Sequence, residues 1–339
     1  MSYKHPASAG CFLSGNGVEI NNQPLTDDKE IAMLINLRSI FLVSLLMLSP
    51  VAVHADDSEQ ALDAMEVNPD VGRRGEPKRV EDPNEFKVCA DADNMPFSNS
   101  KQEGFENKIA ELIAKDLGKK LSYQFWIDRF GYIRNTLNAG RCDVMIGTVA
   151  GNDAMLTSKP YYRSGYVFVY RKDSGLNITD WDSPDLRKAT IGVIGQTPPT
   201  RPLSDKDLLS NTKPYRLWRD LTKPPSWLVD DVVKGEIDVA IVWGPIGGYF
   251  AKKSEVPLVV VPAPEYETTN VHGKEQWNIA LGVRKGEKER LAMIQDVLDR
   301  RHDDIIKILD EYGIPHLPVV EEKKKGPPAA RGDVIPKAE

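Results

Sequence analysis

The 339 residues predict an α/β protein of two lobes, each a mostly parallel sheet covered by helices. Three observations carry that expectation. Apolar runs of strand length alternate with amphipathic helical stretches, as in βαβ units. The alternation occurs twice, on either side of about residue 170. Two of the strand-like runs, Phe168–Arg171 and Ile279–Val283, stand where the chain would pass from one lobe to the other and return, which places a cleft and a hinge between the lobes.

Taken in order, Phe86–Ala90 reads as a buried strand. From Gly104, Phe105, Ile109, Ile113 and Leu117 recur every four residues beside Ala110 and Ala114, an amphipathic helix stopped by Gly118. Leu121, Tyr123 and Phe125 alternate with polar residues, as a half-buried strand does. A second helix is expected over Tyr132–Ala139, ended by Gly140, and a third strand over Val144–Gly147. In the second half, Thr190–Ile194, Val239–Val242 and Leu258–Val261 are strands, and Trp227–Lys234 is a helix ended by Gly235. Ile279–Val283 follows, then helices over Lys288–Arg300 and Asp303–Tyr312, the last ended by Gly313. Gly195-Gln-Thr-Pro198 and Gly244-Pro245 read as loops at strand C-termini, where α/β clefts are built.

The ends differ from the middle. Ile40–Leu48 is almost unbroken apolar sequence preceded by Arg38 and followed by Val53-His-Ala55, the pattern of a secretory signal cleaved after Ala55 and too short to span a bilayer. The acidic stretch upstream places translation initiation at Met33. Residues 1–55 are thus an upstream extension plus signal peptide, and 56–84 a charged N-terminal extension. Residues 85–168 with 280–318 form lobe 1, 169–279 lobe 2, and 319–339 a polar, Pro-rich disordered tail. With Lys+Arg 44 against Asp+Glu 50 the net charge is -6, and the pI is near 5.6. Nucleic-acid binding, which wants a strongly basic face, is not expected. Of three cysteines, Cys11 precedes the mature chain. Cys89 and Cys142 remain, and two cysteines in an exported chain favour one structural disulfide.

Several motifs in fixed order add a resemblance. Pro96-Phe97, Gly104-Phe105 opening a helix, Leu137-x-Ala-Gly-x-x-Asp143, Pro160-Tyr161 and Gly235-x-x-Asp238 resemble the type II periplasmic solute-binding fold, family 3, over about residues 86–318. A narrower set comprises Val88-Cys-Ala-Asp91, Asn94-x-Pro-Phe-Ser98, Gly104-Phe-Glu-Asn-Lys-Ile-Ala110, Arg134–Asp143, Tyr161-Tyr-Arg-Ser164, Val242-Trp-Gly-Pro245 and Ile305–Pro315. It resembles the quinoprotein dehydrogenase-associated binding proteins of the MxaJ/XoxJ type, which accompany periplasmic PQQ-dependent methanol dehydrogenases. Both mature cysteines fall inside those motifs, which supports their pairing.

The resemblance also locates departures. Family 3 receptors for amino acids grip the ligand carboxylate with an Arg after the third strand and its ammonium with an Asp in the second lobe. Here Thr148–Ala154 contains no Arg, and Trp243 stands where the Asp is expected. A buried α-carboxylate and ammonium without partners would each cost several kcal/mol, so free amino acids are not the expected cargo. Aromatic residues take over. Trp126, Phe130, Tyr161, Tyr162 and Trp243, with Arg129 and Arg163 near the rim and Thr148, Thr197 and Gly244 on the loops, are expected to line a cleft. It suits an aromatic acid, a cofactor such as PQQ, or an inserted peptide segment.

No Gly-x-Ser-x-Gly elbow or His/Cys/carboxylate metal spacing occurs in the mature chain, whose histidines do not converge in sequence. The expectation is a non-catalytic binding protein with no metal and no resident cofactor. It is periplasmic, monomeric, and not inserted in the membrane once its signal is removed. The resemblance implies assistance to a PQQ methanol dehydrogenase; the alternative is the solute receptor of an ABC importer for a small ligand other than an amino acid.

Overall fold

The computed structural model describes residues 79–127, 131–216, 223–266 and 275–320. The signal peptide, most of the N-terminal extension, Arg129, Phe130 and nearly all of the tail lie outside the described residues.

Strand β1 (Glu85–Ala90) pairs in parallel with β4 (Lys120–Phe125) on one side and with β5 (Val144–Val149) on the other. Helix α1 (Phe105–Asp116) covers this sheet because Phe105, Ile109, Ile113, Ala110 and Ala114 share one face, all at most 2% exposed. Each large side chain among them contributes about 1.5–3 kcal/mol by leaving water. The helix starts where Asn107 Oδ1 accepts the Gly104 N–H at 3.0 Å, and the chain turns away at Gly118, φ 64°. The short strands β2 (Asp93–Asn94) and β3 (Ser98–Asn99) form a separate ribbon between β1 and α1.

Strand β12 (Gln276–Val283) closes lobe 1 antiparallel to β5, with β6 (Leu156–Thr157) at its end. Helices α6 (Lys288–Arg300) and α7 (His302–Tyr312) pack Ile294, Val297, Leu298, Ile305 and Leu309 into the same core. The helix expected over residues 132–139 is only one turn, α2 (Tyr132–Asn135), after which the chain continues in turns to Cys142.

Lobe 2 repeats the plan. Strand β8 (Ile191–Ile194) lies between β9 (Thr212–Tyr215) and β10 (Val239–Trp243), all parallel. Helix α3 (Thr200–Asp205) follows β8, and α4 (Trp227–Lys234) precedes β10. Gly244-Pro245, expected as a loop, instead opens helix α5 (Gly244–Lys253), since Pro in a first helical turn loses no hydrogen bond. Strands β7 (Tyr162–Arg171) and β11 (Leu258–Pro262) complete the sheet.

The lobes are joined through β7 and β12. Residues 162–165 of β7 pair with β12, whereas residues 166–171 pair with β10 and β11. The change of partner falls at Gly165/Tyr166, where Tyr166 N–H bonds Glu275 O at 2.8 Å. This is upstream of the Phe168–Arg171 expected as the crossing. Gly165 is suited to the spot, since a Cβ there would lie 2.9 Å from Glu275 O. Cys89 and Cys142 are disulfide-bonded with their Cα atoms 5.4 Å apart, tying β1 to the start of β5.

Candidate functional site

In both lobes the first strand lies between the next two, giving the orders β4-β1-β5 and β10-β8-β9. Such an arrangement leaves a crevice at the carboxyl ends of the strands, where the connections diverge. Register shows where those ends point. Val149, last in β5, pairs with Ile279 near the crossing, and Trp243, last in β10, pairs with Tyr166 at it. The carboxyl ends of both sheets therefore meet at the crossing, and the candidate site lies between them.

On the lobe 1 side, Trp126 follows β4 and is anchored by its N–H to Ala90 O at 2.9 Å. Among the described residues its buried indole Nε1 has no hydrogen-bond partner, and the Arg141 guanidinium lies 5.7 Å from its ring centre. Thr148, at the end of β5, is buried and accepts a bond from Asn152 Nδ2 at 3.4 Å. On the lobe 2 side, Thr197 sits in the turn after β8, donates its hydroxyl to Ile194 O at 2.6 Å, and is hydrogen-bonded to Tyr166. Trp243 is half-buried with its ring edge-on to Tyr166, 5.5 Å between centres.

Four residues expected at the cleft serve other purposes. Tyr161 and Tyr162 are each 3% exposed inside the lobe 1 core, with Tyr162 edge-on to Phe105 at 6.5 Å. The two rings also pack on each other, 5.2 Å between centres. Arg163 is not at the rim. It is buried at the crossing, where it donates to Glu265 Oε1 at 2.8 Å and, more loosely, to Gln276 and Asn278 at 3.4 Å. Gly244 is a packing glycine, since a Cβ there would lie 2.5 Å from Gly165 O.

The composition-based reading overlooked Glu106. Its carboxyl group lies on the strand at Gly147, whose φ of 74° and missing Cβ leave the space; a Cβ would come within 1.8 Å of Glu106 Oε1. Burial first, and then the neighbouring Asp91, push its pKa up to about 8. At neutral pH it is therefore a carboxylic acid that can donate a hydrogen bond. Tyr161 and Tyr132 feel the same group, and their phenols are raised mainly by burial. The Gly104-Phe105-Glu106 helix start was the signal that could have found it.

Among the described residues, no set of three or more His, Cys, Asp or Glu is placed to hold a metal ion, and no helix is long and apolar enough to cross a membrane. A cavity beside Glu85, Lys119, Asp143 and Arg290 lies at the opposite, amino ends of the strands and is lined by ion pairs. Trp126, Thr148 and Glu106 thus stand at the carboxyl side of the lobe 1 strands, and Thr197 and Trp243 at that of the lobe 2 strands.

Residues 86–314 match the family of bacterial extracellular solute-binding proteins, family 3. Protein MoxJ of Methylorubrum extorquens is 32% identical over 251 residues, 69% of this chain and 82% of that protein. Among solved structures, MxaJ from Methlophaga aminisulfidivorans aligns with a TM-score of 0.63 at 30% identity, covering 68% of this chain and all of that one. The periplasmic binding protein XoxJ from Methylobacterium extorquens aligns at 0.58 and 36% identity, covering 69% and 100%. The two-lobed sheet is thus the type II periplasmic binding architecture, and the chain belongs to family 3 of the bacterial extracellular solute-binding proteins.

Proposed function

We propose that this protein is a periplasmic, non-catalytic accessory of a PQQ-dependent methanol dehydrogenase, binding a segment of the immature dehydrogenase or its cofactor between the lobes. The observation that carries the reading is Trp243 at the end of β10. The indole packs on Tyr166, and by the family resemblance it takes the place of the carboxylate that an amino-acid receptor would present. Trp126, across the crossing, adds a second indole with a free donor. Aromatic rings of this kind are strong anchors for an inserted peptide or a planar polycyclic acid. Similarity to MoxJ, MxaJ and XoxJ over most of their lengths supports the same partner.

The test is complementation of a deletion strain growing on methanol. Wild-type protein restores dehydrogenase activity. Trp126→Ala/Trp243→Ala, secreted at the wild-type level, leaves it at least tenfold lower. Full restoration by the double variant would remove the cleft from the proposal. A stoichiometric small molecule released from the purified protein, with no effect of deletion on the dehydrogenase, would favour a transport receptor instead.

A further inference from the structure

The stretch from Trp126 to Cys142 is fastened at both ends to one strand of lobe 1. Trp126 N–H donates to Ala90 O at 2.9 Å, and Cys142 is disulfide-bonded to Cys89, their Cα atoms 5.4 Å apart. The two fastenings thus fall on consecutive residues at the carboxyl end of β1. Between them, α2 is a single turn and residues 136–140 continue in turns. Their backbone hydrogen bonds are local: Asn138 N–H to Ile133 O at 2.9 Å, Gly140 N–H to Leu137 O at 3.0 Å and Arg141 N–H to Thr136 O at 3.1 Å. Such bonds shape the stretch without holding it on the sheet. That falls to Leu137, fully buried with Cys89, Cys142, Met145 and Met155, to Arg284, which donates to the carbonyls of Leu137 and Cys142, and to the disulfide itself.

This closure brings together two side chains that the sequence keeps apart. Arg141, the residue before Cys142, places its guanidinium 5.7 Å from the centre of the Trp126 ring, within cation–π range. Arg141 is half-buried. A cross-link one residue away limits how far its backbone can move from the ring.

We propose, resting on the reading that the cleft engages the dehydrogenase, that Arg141 belongs to the site as the cation seated on Trp126, and that the Cys89–Cys142 disulfide positions the pair. Without the cross-link, Asp143 N–H still donates to Lys87 O at 2.8 Å, so β5 stays on β1 while Arg141 and Trp126 separate. An occupant packing on Trp126 then loses the cation beside it. The disulfide serves recognition as well as stability, and the two roles can be read separately.

Fluorine NMR on the mature chain carrying fluorotryptophan is the test, with Trp126→Phe identifying the Trp126 resonance by its disappearance. Wild-type protein should give one narrow Trp126 line. Folded Cys89→Ala/Cys142→Ala should show that line at least twofold broader or moved toward the free amino acid. The line of Trp181, in the lobe 2 core and assigned in the same way, should stay where it is. An unchanged Trp126 line in the folded variant would overturn the proposal. Arg141→Ala keeps the disulfide and is read even if the cysteine variant does not fold. Its Trp126 line should shift, and recovery of the large quinoprotein subunit on the tagged protein should fall at least fivefold. An unmoved line, or wild-type recovery despite a shifted line, would overturn the place of Arg141 in the site. The spectra need no dehydrogenase, so failure of the partner reading, seen as no recovery with wild type, is told apart from failure of this one.

Discussion

Glu106 shows how a single side chain can carry a pH dependence. Its folded pKa is about 8 against an ordinary 4.5, so between those values the folded state holds a proton that the unfolded state has released. Stability from this group is therefore full below pH 4.5 and declines toward pH 8, by at most about 1.4 kcal/mol per pH unit. Glu106→Gln removes the ionisation. In urea titrations at pH 5.5 and 7.5, the variant should gain on wild type by at least about 1 kcal/mol at the higher pH; a difference independent of pH would contradict the assignment. Gly147→Ala is expected to destabilise by more than about 2 kcal/mol, since it combines a positive φ with a clash against that carboxyl. Residue-scale legibility was uneven for a physical reason. Composition marks Tyr161, Tyr162 and Arg163 as aromatic and basic but does not say which way a chain entering β7 will turn them. The tertiary fold turns all three inward.

Among the elements, helices α1, α4, α6 and α7 were legible almost to the residue, α1 from its apolar spacing and α1, α4 and α7 from the glycine that follows each. Helix α5, which also contains Gly247 and Gly248, was not, because Gly244-Pro245 at its start read as a loop. Those glycines are required by close approach to Gly165, Val167 and Gly313, which only the folded chain reveals. The crossing was displaced for a similar reason. β7 is ten residues of nearly continuous burial, and an apolar run does not show where its partner changes. The disulfide was legible, and removing it should be costly. It spans 53 residues, so Cys89→Ala/Cys142→Ala should lose about 4 kcal/mol in the chain-entropy model, read as a lowered urea midpoint with a steeper slope, because the unfolded chain without the cross-link exposes more surface. Beside it, Asp143 accepts two bonds from Arg79, at 3.0 and 3.2 Å, and pairs with Arg290 at 2.8 Å. These arginines hold its pKa below the usual value against the opposing effect of burial. Its contribution is present above about pH 4 and is lost on acidification. Asp143→Asn should cost about 1–3 kcal/mol at pH 7 after solvent screening, and that cost should shrink as the pH falls below about 4.

For the whole molecule, two lobes with the same strand order bring their carboxyl ends to one crossing, and that convergence places the candidate site. The family was legible because its motifs mark turns and strand ends that the architecture itself needs: Gly104 against Phe97 O, Asp143 at the start of β5, and Gly235 ending α4 at φ 75°. The occupant is a different matter, because aromatic rings accept many partners where a charged pair accepts few. The central proposal is engagement with a quinoprotein dehydrogenase. Its most direct test is affinity purification of the tagged mature protein from methanol-grown cells, with mass spectrometry of bound proteins and released small molecules. The large quinoprotein subunit should be recovered with wild type and lost with Trp126→Ala/Trp243→Ala. Its absence from the wild-type eluate, with one stoichiometric small molecule in its place, would contradict the proposal.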